Sequence, residues 1–241
     1  MEINDDCFNS LRQIKSGSVD LILVDPPYLI SKKSGFTRYS DEAKSDMITK
    51  YGKVSIDFGE WDKEEIDWDL LLKEYYRVLR DGGTLIFFFD IWKSSTIKEL
   101  AEKNKFKQPR IGQWQKTNPV PINSKINYLS NAIEYFFSFV KDKKPTFNSE
   151  YDSGIYRHPL CHGKERLDHP TQKPLALLRQ LVEKQSNPGD TVLDTFAGTG
   201  TTGHVCIQSG RRYILAERDE SYFRLLSSRI ESAKQNSIDI I

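Results

Sequence analysis

Short apolar runs alternate with longer amphipathic stretches along the chain, a pattern that predicts helices packed on a mainly parallel β-sheet. Apolar residues three or four positions apart predict helices at 67–80, 175–185 and 221–233. Apolar runs bounded by turn residues predict five strands, at 19–24, 84–89, 133–140, 191–194 and 213–216. With 241 residues to bury a core, we expect one α/β domain over residues 1–241.

Two segments lack this periodic pattern. Residues 29–61 form a long polar connection after the first predicted strand, and loops of this length are usually mobile or functional. We therefore expect a mobile loop on the substrate side. Residues 141–168 form the second irregular stretch, which we interpret as a small target-recognition insert.

Composition excludes several classes of protein. No apolar stretch approaches the roughly 20 residues that span a bilayer, and the acidic start lacks the features of a signal peptide. We expect a soluble, cytoplasmic protein that does not bind a membrane. The three cysteines lie far apart, which favours free thiols. His158, Cys161, His162 and His169 match no standard zinc-ligand spacing, so no metal is expected.

A candidate for chemistry, Asp25-Pro26-Pro27-Tyr28, directly follows the first predicted strand. Each proline fixes its own φ and biases the preceding residue towards extended conformations, so the carbonyls stay available as acceptors. A planar group could stack on Tyr28 while its amino group donates to the Asp25 carboxylate and the Pro26 carbonyl. The tetrapeptide predicts a socket for a nucleobase amine, although such a turn is also an ordinary exit from a sheet.

Charge adds one further set of candidates. The formal net charge of +1 exerts no overall attraction on a polyanion. We therefore assign nucleic-acid contacts only where a basic patch adjoins the socket. Lys32, Lys33 and Arg38 meet this condition and are predicted to bind DNA.

A glycine loop follows the fourth predicted strand. Gly198, Gly200 and Gly203 have the GxGxxG spacing of a dinucleotide fold, and Glu217 ends the next strand, where an acid can hold ribose hydroxyls. The spacing alone does not separate NAD from S-adenosylmethionine. Asp194 favours S-adenosylmethionine, because a carboxylate suits a zwitterionic amino acid and would repel a pyrophosphate.

Three motifs in a defined order resemble the β-class amino-methyltransferases of DNA: DPPY at 25–28, HPTQKP at 169–174 and FAGTG at 196–200. In that class the catalytic motif precedes the cofactor motif, whereas related enzymes acting on ribosomal RNA or protein glutamine place the glycine loop first. The resemblance implies a circularly permuted, Rossmann-like methyltransferase fold, with a mostly parallel central sheet and helices on both faces. The implied reaction is methyl transfer from S-adenosylmethionine to the N6 amine of adenine in DNA after base flipping, as in restriction-modification.

The resemblance also implies roles for individual residues. Asp25, Pro26, Pro27 and Tyr28 would be catalytic. By position in the family motifs, the expected cofactor-binding residues are Asp6, His169, Lys173, Asp194, Phe196, Gly198, Gly200, Thr201 and Glu217. Among them, Asp6 is expected at the adenine edge, and His169 and Lys173 at the methionine end. Dimers are frequent in the class, so a homodimer is compatible with it.

Three alternatives remain open. The DPPY form is associated more with adenine N6 than with cytosine N4, where a serine commonly replaces the aspartate, so an N4-cytosine methyltransferase is second. An NAD-dependent oxidoreductase would use the glycine loop and leave Asp25 to Tyr28 without a role. A non-catalytic nucleic-acid-binding subunit would use neither motif for chemistry. The recognition sequence is not readable from the chain.

Overall fold

The computed structural model describes residues 1–27, 66–119, 129–167, 169 and 171–238. The predicted mobile loop at 29–61 lies outside these residues, as do Tyr28, Lys32, Lys33 and Arg38. None of the helices within the described ranges has the length and apolar character needed to cross a membrane. All three cysteines are buried and free.

Eight strands of the described chain form one sheet. In chain order they are β1 (Glu2–Ile3), β2 (Val19–Val24), β3 (Leu79–Phe89), β4 (Lys107–Lys116), β5 (Ile133–Val140), β6 (Ile155–His158), β7 (Thr191–Asp194) and β8 (Arg212–Ala216). Their order across the sheet is β1-β8-β7-β2-β3-β5-β4-β6. Strand β5 is antiparallel to both of its neighbours, and every other pairing is parallel. The expected mostly parallel α/β sheet is confirmed.

Helices connect these strands. They are α1 (Cys7–Arg12), α2 (Trp68–Val78), α3 (Ser94–Lys103), α4 (Leu175–Gln185), α5 (Thr201–Gln208) and α6 (Glu220–Ile238), with short 3-10 turns at Ile91–Lys93 and Gly163–Glu165. Helix α2 packs on α1 and α3, while α5 packs on α4 and α6. The two groups correspond to the two halves of the chain, before and after the irregular segment at 141–168.

Helix α2 ends two residues earlier than its apolar pattern predicts. The expected helix extended to residue 80, but strand β3 begins at Leu79. The Lys141 ammonium donates to the carbonyls of Tyr76 (2.8 Å) and Leu79 (2.7 Å). If the helix continued, later backbone N–H groups would donate to such carbonyls, and here the lysine does so. Regular pairing of β3 with β2 starts only at Thr84, where the strand was predicted to begin.

Strands β1, β4 and β6 have no counterpart among the predicted elements. Strand β4 reads KQPRIGQWQK and buries only Gly112 and Trp114, so its apolar content is too low for the pattern to detect. Gly112 is required by packing, because a Cβ there would lie 2.1 Å from the Phe136 ring. Strand β6 lies within the segment interpreted as a recognition insert and extends the sheet beside β4. A role of that segment in recognition stays a prediction.

One carboxylate connects three neighbouring strands of the sheet, β2, β3 and β7. Asp20 on β2 pairs with the Arg80 guanidinium on β3 and accepts a hydrogen bond from the Thr191 N–H on β7 (2.8 Å). Deeper in the fold, the hydroxyls of Tyr75 on α2 and Thr195 after β7 are 2.5 Å apart. These bonds fix where β2 and β7 lie relative to each other.

Two adjacent leucines of α2 test the assigned core. Leu71 is 0% exposed and Leu70 is 40% exposed. Leu71→Ala is expected to lower the free energy of unfolding by about 2–5 kcal/mol, because it leaves a cavity in the core. Leu70→Ala, the matched control, is expected to change it by less than about 1 kcal/mol. Urea denaturation measures both, and equal losses would contradict the placement of this helix face.

Candidate active site

The carboxyl ends of three parallel strands bring the candidate residues to one edge of the sheet. Asp25 follows β2, Asp194 ends β7 and Glu217 follows β8. Because these strands are neighbours with the same direction, their ends lie side by side. Ligands of open α/β sheets bind outside the carboxyl ends of the strands, so this edge is the candidate site.

The glycine loop between β7 and α5 is fixed by the neighbouring strand. The Ala197 N–H donates to the Ala216 carbonyl (3.0 Å), and the Gly198 N–H donates to the Glu217 carboxylate (2.8 Å). Gly198 and Gly200 have φ values of 50° and 78°, in the left-handed region that favours glycine. The positive φ values of the two glycines and the hydrogen bond to Glu217, the predicted ribose-binding acid, therefore fix the shape of the loop.

Two buried carboxylates line this loop. Asp194 accepts from the Phe196 N–H (3.0 Å) and from the Thr202 hydroxyl (2.6 Å). Burial raises the pKa of Asp194 to about 7 in spite of these bonds, and the charges of Asp25 and Glu217 act in the same direction. Burial also raises the pKa of Glu217. Ionising these acids is therefore costly, and the positive charge of a ligand would offset that cost.

The HPTQKP segment places a lysine in the interior. Lys173 is only 7% exposed, and its ammonium pairs with the Asp25 carboxylate and with Glu134 on β5 (3.1 Å). Glu134 in turn pairs with Lys116 at the end of β4 (2.7 Å). The Lys173 nitrogen also lies 5.1 Å from the centre of the Phe88 ring. The lysine expected at the methionine end of the cofactor thus contacts the predicted catalytic carboxylate.

The ion pairs determine which of these buried groups are charged. Burial by itself would lower the pKa of Lys173, but Asp25 and Glu134 outweigh it and the pKa is raised. Burial would raise the pKa of Glu134, but Lys173 and Lys116 outweigh it and the pKa is lowered. Both groups are therefore ionised at neutral pH.

Two other predicted cofactor residues, His169 and Asp6, make different contacts. The His169 ring is 4.5 Å from the Tyr222 ring, and its Nε2 would be 3.4 Å from a Cβ placed on Gly198. His169 therefore lies against the glycine loop. Asp6 is the N-cap of α1, where one carboxylate oxygen accepts from the N–H groups of Phe8 (2.8 Å) and Asn9 (3.0 Å).

The structure also shows the surroundings of three further predicted site residues, Thr201, Phe196 and Pro26. The Thr201 hydroxyl accepts from Arg229 on α6 (2.7 Å), a contact within the helix packing. Phe196 is partly buried in the loop, and Pro26 is buried behind Asp25. Sequence reasoning assigned neither Lys116 nor Glu134 to the site. A charged residue in a strand of aromatic neighbours is the signal that marks Glu134.

Known proteins with this sequence pattern and this fold are DNA methyltransferases. The family model described as DNA methylase, for N6 and N4 methyltransferases, matches residues 19–228. The type II methyltransferase M.HinfI of Haemophilus influenzae is 33% identical over 98% of this chain and 69% of its own.

Solved structures give the same assignment. The complex of M1.HpyAVI with S-adenosylmethionine has a TM-score of 0.69 and 26% identity, over 95% of this chain and 98% of that one. The PvuII DNA methyltransferase, which is cytosine-N4-specific, has a TM-score of 0.72 at 16% identity over 99% and 92% of the two chains, which is a likeness of fold.

The family match covers most of the chain and includes Asp25, Glu134, Lys173 and the glycine loop. Methyltransferases of this family use S-adenosylmethionine as methyl donor. The chain belongs to the N6/N4 DNA methylase family.

Proposed function

We propose that this methyltransferase modifies the N6 amine of adenine in DNA and that Asp25 and the Pro26 carbonyl accept the hydrogens of that amine. The observation that carries the proposal is the position of Asp25 at the end of β2, next to the strand that leads into the glycine loop. An acceptor for the amine and a loop for the methyl donor then share one edge of the sheet.

The chemistry requires an acceptor, because the adenine amine is a weak nucleophile. Its lone pair is delocalised into the ring, and hydrogen bonds from both N–H groups help the nitrogen become pyramidal for in-line attack. When bound, S-adenosylmethionine supplies an electrophilic methyl group. Asp25 and Pro26 would hold the amine during attack, with no need to remove a proton first.

The base must leave the duplex to reach this edge. Flipping costs a few kcal/mol. We propose that stacking on Tyr28, worth about 1–3 kcal/mol for an aromatic ring and a base, offsets much of this cost. Lys32, Lys33 and Arg38 would contact the backbone phosphates beside the flipped base.

The residues around the glycine loop fit S-adenosylmethionine. Each oxygen of Glu217 accepts one backbone N–H, from Gly198 or from Asp219, so lone pairs remain for the ribose hydroxyls. In their ionised forms, Asp194 and Glu217 would also attract the positive charge of a ligand at this loop. We assign His169 to the methionine end because it lies against Gly198.

Asp25 supports adenine over cytosine as the target base. The resemblance links an aspartate at this position to adenine N6 and a serine to cytosine N4. The fold itself accommodates both specificities in the family, so the base must be identified chemically. Mass spectrometry of nucleosides from DNA treated with the protein and S-adenosylmethionine separates N6-methyladenine from N4-methylcytosine.

Replacing the acceptor should abolish turnover. Asp25→Asn exchanges one acceptor oxygen for a donor, so we expect methyl transfer to DNA to fall by a factor of about 10²–10³. Binding of S-adenosylmethionine, measured by calorimetry, should persist. Asp69→Asn, which changes an aspartate of α2 that accepts hydrogen bonds from Lys103 and Asn104, serves as control and should leave turnover unchanged. Near-normal methylation by Asp25→Asn would reject the acceptor role.

Cofactor affinity should depend on pH through Asp194. Its pKa is raised to about 7, so the carboxyl is largely protonated below that pH and ionised above it. A cationic ligand prefers the ionised form, and affinity for S-adenosylmethionine should rise as pH increases through about 7 and then level off. Calorimetry across this range measures the effect, with Asp194→Asn as comparison. A slope that persists unchanged in Asp194→Asn would assign it to another group.

A further inference from the structure

Four side chains of alternating charge form a continuous series that ends at the predicted catalytic carboxylate. Lys116 on β4 contacts Glu134 on β5 (2.7 Å), Glu134 contacts Lys173 before α4 (3.1 Å), and Lys173 contacts Asp25 after β2. The side chains of Lys173 and Lys116 are 7% and 16% exposed. We call these four residues the charge series.

The balance of charge explains why Lys173 stays in place. A buried ammonium is stable only with partners, and Lys173 has two carboxylates and the face of the Phe88 ring. The second carboxylate, Glu134, is balanced by Lys116, so the series as a whole is neutral. Removing one member leaves its neighbour as an uncompensated buried charge, which is strongly unfavourable.

The same contacts restrict Asp25. Its carboxylate is the last member of the series, and the negative charges of Asp194 and Glu217 lie on the two strands beyond it. Ionised acids at one sheet edge repel one another, and a cation offsets that repulsion. Lys173 is the cation that the structure places directly on Asp25.

We propose that Lys173 is a positioning residue that holds the Asp25 carboxylate in one orientation, and that Glu134 and Lys116 keep Lys173 in place for this task. The inference rests on the proposed function, in which Asp25 accepts the amine hydrogens. It assigns Lys173 to the substrate side of the site, in place of the methionine end of the cofactor. Glu134 and Lys116 thereby act on the reaction without touching either ligand.

The test compares Lys173→Met, which keeps most of the length but removes the charge, with Lys173→Arg, which keeps a cation. For Lys173→Met we expect the single-turnover rate at saturating cofactor and DNA to fall about 10²-fold, because a preorganised charge is lost. Cofactor affinity should change much less. Lys173→Arg should recover a large part of the rate.

Two further variants separate positioning from packing. Lys184→Met is the matched control, because Lys184 also pairs with an aspartate, Asp152, and lies 4.7 Å from the centre of an aromatic ring, Tyr156. It should lower thermal stability without changing the mobility of the Asp25 carboxyl. If Lys173→Met does not fold, the double variant Lys173→Met with Glu134→Gln keeps the residual charges of the series balanced and should show the same rate loss.

A direct readout does not require turnover. Carbon-13 relaxation of the labelled Asp25 side-chain carboxyl should show greater mobility in Lys173→Met than in the wild type, because the ion pair no longer holds it. Unchanged mobility together with an unchanged rate would overturn the proposal. So would lost cofactor affinity with a normal rate at saturation, which would make Lys173 a cofactor ligand. If the wild type methylates no base, the proposed function fails, while the NMR measurement still tests the pair.

Discussion

The site depends on one constraint, which is that neighbouring parallel strands end at the same edge of a sheet. Strands β2, β7 and β8 are adjacent and parallel, although β2 lies near the start of the chain and the other two near its end. The DPPY turn and the glycine loop, about 170 residues apart by their positions in the sequence, therefore follow strands that end at the same edge. The order of the motifs along the chain is free to vary as long as the order of the strands is kept.

Electrostatics then divides this edge into two parts. Asp194 and Glu134 are both carboxylates taken out of water, yet burial raises the pKa of Asp194 while two lysines lower that of Glu134. Beside β5, Lys173 and Lys116 supply the positive charge that balances Glu134. Beside the glycine loop, hydrogen bonds contact the acids, and a bound ligand would supply the positive charge. This difference between the two halves agrees with a substrate that brings no positive charge and a cofactor that does.

The sequence was most informative where apolar and aromatic residues dominate a segment. Strands β2, β5 and β7 were predicted at the observed bounds, and such residues make up most of β2 and β5. Strand β4 was missed because packing against Phe136 demands a glycine and the strand buries few side chains. The position of Lys173 could not be predicted from its neighbours in sequence, since lysines in turns are ordinarily solvated. Only the tertiary pairing with Asp25 and Glu134 makes its burial favourable.

The hydrogen bond from the Gly198 N–H to Glu217 joins two parts of the cofactor side that are usually considered separately. Glu217, which follows β8 and which we propose as the ribose ligand, also shapes the glycine loop. The conformation of the loop and the position of the Glu217 carboxylate therefore depend on each other. A substitution at Glu217 would change the backbone of the loop along with any hydroxyl contact, so a loss of cofactor affinity there measures both effects together.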